Sequence, residues 1–250
     1  MQSRVLICDG AAGTQIQATN LTTEDFDGLD GCNEYLNLSR PDVIAEIHCK
    51  YLEAGADVIQ TNTFGAIRYV LDEYDVGDKL EEISAAAARI AREQADRFST
   101  PDKPRFVLGG IGPGTRLVTL GNVSFDDVVE SYRSAFIELI RGGVDGLLLE
   151  TLQDLLHAKA GLVAVAEAME ETSKTLPVFV QVTMEQTGTM LMGSDILAVI
   201  NAVSAFPYVI CLGLNCATGP EEMVPHVRAL SKHWPGFISV QPNAGLPVME

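Results

Sequence analysis

Three side chains with reactive chemistry stand where apolar runs of this sequence give out. Asp9 follows VLIC (5–8), Glu150 lies at the end of GLLLET (146–151), and Cys216 follows YVICLGLN (208–215), directly after Asn215. Two carboxylates suit general acid–base work or the capture of an ammonium group. A thiol suits nucleophilic attack or metal ligation. A nucleophilic cysteine needs a base, and no histidine stands at a run's end. His48 and His157 fall in helical stretches, and His226 and His233 lie in the helix after Cys216. Thr218 and Glu221 form a T-x-x-E capping box that predicts a helix start right after Cys216, a setting that favours thiolate over thiol. Ligation fits that setting, although one cysteine completes neither a structural nor a catalytic metal site. Plain structural explanations also exist: a helix cap for Asp9, an internal ion pair for Glu150, a small buried residue for Cys216.

These groups act together only if the elements that bear them bring the run ends to one place. Seven apolar runs stand out: VLIC (5–8), DVIQTN (57–62), RFVLGG (105–110), GLLLET (146–151), PVFVQVT (177–183), YVICLGLN (208–215) and FISVQPN (237–243). They are continuous rather than alternating, as strands of a parallel sheet buried on both faces are. Amphipathic stretches separate most of them. Phe125, Val128, Val129, Tyr132, Phe136, Leu139 and Ile140 share one helical face, opened by Ser124 with Asp127 and closed by Gly142-Gly143. EAGADVIQTN (53–62) and RGGVDGLLLET (141–151) repeat one pattern of helix end, glycine, aspartate and strand. This β-α-β rhythm predicts an α/β fold of the TIM (β/α)8 type, with an open flavodoxin-like sheet as the alternative. DGAAGT (9–14) lacks the GxGxxG spacing of a dinucleotide site.

In such a barrel chemistry collects where strands end and βα loops begin. Those positions are Asp9-Gly10, Thr61-Asn62-Thr63, Gly112-Pro113-Gly114, Glu150-Thr151, Thr183, Asn215-Cys216 and Asn243-Ala244-Gly245. Lys and Arg number 17 against 34 Asp and Glu, a formal charge of −17 that disfavours nucleic acid and anionic membrane as partners. No apolar run reaches the ~18 residues of a membrane span, and MQSRVLICDG does not read as a signal peptide. The five cysteines, Cys8, Cys32, Cys49, Cys211 and Cys216, are odd in number and contain no CxxC pair, so the expectation is free thiols in a reducing cytoplasm. Nothing divides residues 1–250 into more than one domain.

The sequence resembles the homocysteine S-methyltransferase family, and within it the homocysteine-binding barrel of the cobalamin-dependent methionine synthase branch. The resemblance runs from DGAAGTQIQ through GCNEYLNLSRPDVIAEIHCKYLEAGADVIQTNTFGA, GGIGPGTRLVTLG and YRSAFIELIRGGVDGLLLETLQDLLHAK to VQVTMEQTGTMLMGSDI, GLNCATGPEEM and QPNAGLP. It implies a barrel that binds homocysteine over a zinc ion held by three cysteines. The first falls on Cys216. The others form an adjacent pair after the eighth strand, and this sequence contains no Cys-Cys. The resemblance therefore implies a barrel incomplete after the seventh strand and a zinc site incomplete in this chain. It further implies that Asp9 and Glu150 hold the amino acid's ammonium, with Gly10, Ala11 and Asn215 beside the substrate; Asn62 completes the candidate contacts. Methylcobalamin is the implied donor, brought by cobalamin- and folate-binding domains or proteins. Alternatives are a silent or split homocysteine-binding protein, or a stand-alone methyltransferase with another donor. Ala12 and Ile67 depart from the family's usual methionine and asparagine. Unpaired barrel edges predict self-association.

Overall fold

The computed structural model describes residues 4–244. In chain order it forms α1 (Ala12–Ala18), α2 (Leu36–Ser39), α3 (Pro41–Ala54), β1 (Val58–Gln60), α4 (Arg68–Leu71), α5 (Leu80–Phe98), β2 (Phe106–Ile111), α6 (Phe125–Arg141), β3 (Gly146–Leu152), α7 (Leu155–Thr172), β4 (Val178–Val182), α8 (Ile196–Val203), β5 (Val209–Asn215), α9 (Pro220–His233) and β6 (Phe237–Gln241), with short single-turn helices between them. All six strands are parallel and pair in sequence order. The sheet curls. Gln60 on β1 donates to Gln241 on β6 at 3.4 Å although four strands lie between them. The result is a curled half-barrel with an open trough along its axis.

Six of the seven expected strands are therefore present, and the first is not. VLIC (5–8) contributes one bridge, Cys8 to Val58, rather than a ladder. The cause is Asp57. Its carboxylate accepts the Ile7 N–H at 2.9 Å and clamps Arg4 through two further bonds, so a side chain takes one ladder partner's place while the Ile7 carbonyl accepts the N–H groups of Asp57 and Val58. The expected barrel ending after a seventh strand is corrected to this six-stranded half-barrel. Gly245 lies outside the described residues.

Period-2 alternation sorts each strand between helical core and trough. Ile59, Val107, Leu147, Leu149, Val180, Val182, Leu212 and Leu214 join the main core with the helices. Val58, Leu108 and Leu148 form a separate apolar cluster with Leu6, Cys8, Phe106 and Phe179 on the other face. Outside the sheet, α6 buries Val128, Val129, Tyr132, Phe136, Leu139 and Ile140, the face expected from spacing, and Ser124 Oγ accepts the Asp127 N–H at its start. Alanines 86–88, 91 and 95 of α5 are buried and let neighbouring helices approach closely.

Gly213 marks a close approach on β5, just before the Asn215-Cys216 end. A Cβ there would overlap the Ser239 carbonyl and hydroxyl of β6. Gly213→Ala should therefore destabilise the fold by about 1–3 kcal/mol in urea unfolding, the usual cost of overpacking. Unchanged stability would mean that β6 gives way at no cost.

Candidate functional site

The strand ends place Asp9, Glu150, Asn215 and Cys216 along one trough, a cavity of about 1700 Å³. Asp9 is anchored by its backbone, whose N–H donates to the Val58 carbonyl at 2.8 Å. Its Oδ2 accepts the Gln60 N–H at 2.8 Å, while Oδ1 is buried with no partner. It caps no helix, since α1 begins after Ala11. Gly10 lies against the Tyr51 ring, whose hydroxyl donates to the Ala11 carbonyl at 2.9 Å. Glu150 has neither salt bridge nor hydrogen bond among the described residues. Gly110 on β2 makes its space, because a Cβ there would stand 2.8 Å from Glu150 Oε1.

Both carboxyls are held above the usual carboxylate range. Desolvation pushes Asp9 up to about 8, opposed by the Gln60 N–H and reinforced by the Glu150 charge. Desolvation alone pushes Glu150 up to about 7. The two acids are electrostatic neighbours with acceptor atoms to spare, a site that favours a cation.

Asn215 links Thr151, the residue after Glu150, to the thiol. Its Oδ1 accepts the Thr151 N–H at 2.8 Å, and its Nδ2 donates to Thr151 Oγ1 at 2.7 Å and to Cys216 Sγ at 3.4 Å. The Cys216 N–H donates to the Gln241 carbonyl at 3.1 Å. Thr151, Cys216 and Ala217 all have left-handed backbones, with φ of 58°, 55° and 57°. The expected cap at Thr218 is displaced: α9 starts at Pro220, and Glu222 accepts the N–H of Gly219 at 3.1 Å. The thiolate expectation also reverses. Desolvation raises the Cys216 pKa, helped by the Glu150 charge and opposed by the Thr151 and Asn215 bonds. α9 starts at Pro220, four residues beyond Cys216.

Asn62 borders the same trough, but its amide is committed to structure. Nδ2 donates to the Asn33 carbonyl at 2.7 Å and to Asn37 Oδ1 at 3.2 Å, and Asn37 donates back to the Asn62 carbonyl at 2.8 Å. Of the histidines, His48 and His157 are buried. Sequence reasoning placed Thr151 at a strand end without a role and overlooked three amides. Gln181 donates to Gln241 Oε1 at 2.7 Å and to Ser239 Oγ at 3.1 Å, and its own Oε1 is buried without a partner. Their signal was visible: DVIQTN, PVFVQVT and FISVQPN each place a lone glutamine late in an apolar run. As for a metal, among the described residues no three His, Cys, Asp or Glu side chains gather. Cys216 supplies one soft donor, and these residues do not fit a zinc centre on their own.

A family model described as homocysteine S-methyltransferase matches residues 6–250. The chain is 50% identical over 249 residues to a methionine synthase of Mycobacterium leprae and 49% identical to one of Mycobacterium tuberculosis. All of this chain is covered in each case, but it spans 21% of the length of those curated relatives. Crystal structures of the homocysteine methyltransferase MmuM from Escherichia coli share the fold. The oxidized form matches at TM-score 0.79 and 20% identity, over 98% of this chain and 84% of that one. The metallated form matches at TM-score 0.78 and 19% identity, over 98% and 85%.

The raised Glu150 pKa makes stability depend on pH. An acid that holds its proton more tightly when folded favours the native state at low pH, and that advantage is lost as pH rises from the unfolded value toward about 7. Glu150→Gln should remove this loss. Relative to the parent protein, the variant should gain about 1–2 kcal/mol on going from pH 5 to pH 8 in chemical denaturation. An equal difference at both pH values would show that the Glu150 carboxyl is not desolvated.

Proposed function

The chain belongs to the homocysteine S-methyltransferase family, and from that premise we propose that its trough binds homocysteine and presents the amino acid's sulfur for methylation to methionine. One observation carries this reading: two desolvated carboxyls with unused acceptor atoms share a trough with the Cys216 thiol. The substrate's ammonium sits between Asp9 and Glu150, where charge-assisted bonds replace missing partners. Gly10 leaves the backbone open beside it, and Asn215 borders the other side. With the ammonium fixed at one end, the sulfur is directed along the trough toward Cys216. The homocysteine sulfur then forms its bond to the methyl carbon, and the electrons of the old methyl bond leave with the donor.

Methylcobalamin, carried outside this domain, would supply the methyl group, as the resemblance and the roughly fivefold longer methionine synthases support. The rim also suits a donor delivered on another protein surface. Phe64, Leu120, Leu156 and Leu191 follow β1, β2, β3 and β4 in turn, so they stand at one end of the parallel sheet, and all four are exposed. Zinc activation of the substrate thiol is the finer reading. Its support is the placement of Cys216 and the metallated form of the Escherichia coli structure. The lack of a three-ligand cluster among the described residues favours a second reading, a binding domain without transferase activity of its own.

Calorimetric titration tests the shared part. Ammonium binding requires the two acids to lose their protons, so homocysteine affinity should rise between pH 6 and pH 8 with protons released to the buffer. Asp9→Asn should weaken binding about tenfold or more. If homocysteine binds equally well to Asp9→Asn, the ammonium assignment is wrong. Methylation separates the two readings. Cys216→Ser should abolish transfer with binding largely kept, and a parent protein that binds homocysteine without methylating it under donor-saturated conditions supports the silent reading.

A further inference from the structure

We infer that Thr151 is a positioning residue for the amino-acid end of the substrate: its left-handed backbone, clasped by Asn215, fixes the end of β3 directly after Glu150 and returns Leu152 to the helical core. This inference rests on the ammonium reading above. Between the register pairs Leu149–Val180 and Leu152–Val182, β3 advances three residues while β4 advances two. One residue is therefore extra, a bulge, a feature found often beside active sites. Without it, strict alternation would put Glu150 and Leu152 on the same face. Leu148 already lies on the trough face, so alternation alone carries Glu150 there, and without the bulge Leu152 would follow it into the trough. In the structure both are where their chemistry belongs: Glu150 borders the trough, and Leu152 is fully buried in the core with Leu149.

Thr151 absorbs the change of face at φ 58°. A β-branched residue is a poor choice for that conformation, so surrounding contacts must hold it there. Asn215 does so with a reciprocal pair of bonds, accepting the backbone N–H and donating to the hydroxyl. Glycine would suit the backbone better, yet it would forfeit the hydroxyl bond. Because the same Asn215 amide reaches Cys216 Sγ, the clasp sets the carboxylate and the thiol relative to each other.

The test is a pair of titrations on the 250-residue protein, with homocysteine and with its deamino counterpart, mercaptobutyrate. Thr151→Val keeps the branched shape and removes the hydroxyl; it should weaken homocysteine about tenfold and leave mercaptobutyrate unchanged. Thr151→Ser restores the hydroxyl and should stay within about threefold of the parent. In a Glu150→Gln background, the valine substitution should cost nothing further, because the group it misaims is gone. Thr151→Gly accepts φ 58° and lacks the hydroxyl, so it gives the same readout if the valine variant fails to fold. Equal losses for both ligands would reduce Thr151 to a structural role, and an unweakened valine variant would overturn the inference outright. A parent protein that binds no homocysteine defeats the ammonium reading and this inference with it. Binding by the parent with no effect at position 151 defeats the inference alone.

Discussion

A parallel strand offers its side chains alternately to two faces, and here the two faces are a packed helical core and an open trough. Every polar group with chemistry must sit on the trough parity, because the core has no partners to offer it. Gln60, Glu150, Gln181, Asn215 and Gln241 all obey this rule. Curling of the sheet then converts parity into proximity. Strands at its two ends face each other closely enough for Gln60 and Gln241 to hydrogen-bond. A flat sheet with identical strands would display the same residues in a row and bring no two ends together.

The trough is costly to maintain. Asp9 Oδ1 and Gln181 Oε1 are buried acceptors without partners, each costing about 1–3 kcal/mol. The two carboxyls add desolvation. Thr151, Cys216 and Ala217 add backbone strain. The helical core offsets these losses with fully buried Tyr132, Phe136, Leu139 and their neighbours. Unmet acceptors and desolvated carboxyls in one trough would be relieved by a cationic ligand, whereas the backbone strain would remain.

How much was legible follows from the same physics. Six strands and the buried face of α6 could be read because continuous apolar runs and helical spacing are local properties. The first run failed because the Ile7 N–H goes to the Asp57 side chain, a partner about fifty residues away that no local pattern discloses, and leaves a single bridge to β1. Asp9, Glu150, Asn215 and Cys216 line one trough, as their places at the ends of apolar runs led one to expect. The left-handed turn at Thr151 was not foreseen, since a threonine in a strand-like segment argues for a strand and against a left-handed residue. The protonation of Cys216 was misjudged because a nearby helix was credited with more influence than burial. In the structure α9 starts only at Pro220, and desolvation raises the Cys216 pKa.

That reversal bears on how substrate and thiol influence each other. The Escherichia coli structures share this fold at about 20% identity, so the fold alone leaves the chemistry open and the site must carry it. The Glu150 charge opposes ionisation of Cys216. A substrate ammonium beside Glu150 would cancel that charge and so ease formation of the thiolate. By reciprocity, an ionised Cys216 would strengthen the hold on the ammonium. Thr151 follows Glu150 in the chain and is bonded to Asn215, whose amide reaches Cys216 Sγ, so the geometry of this pair bears on how strongly amino-acid binding and thiol chemistry are coupled.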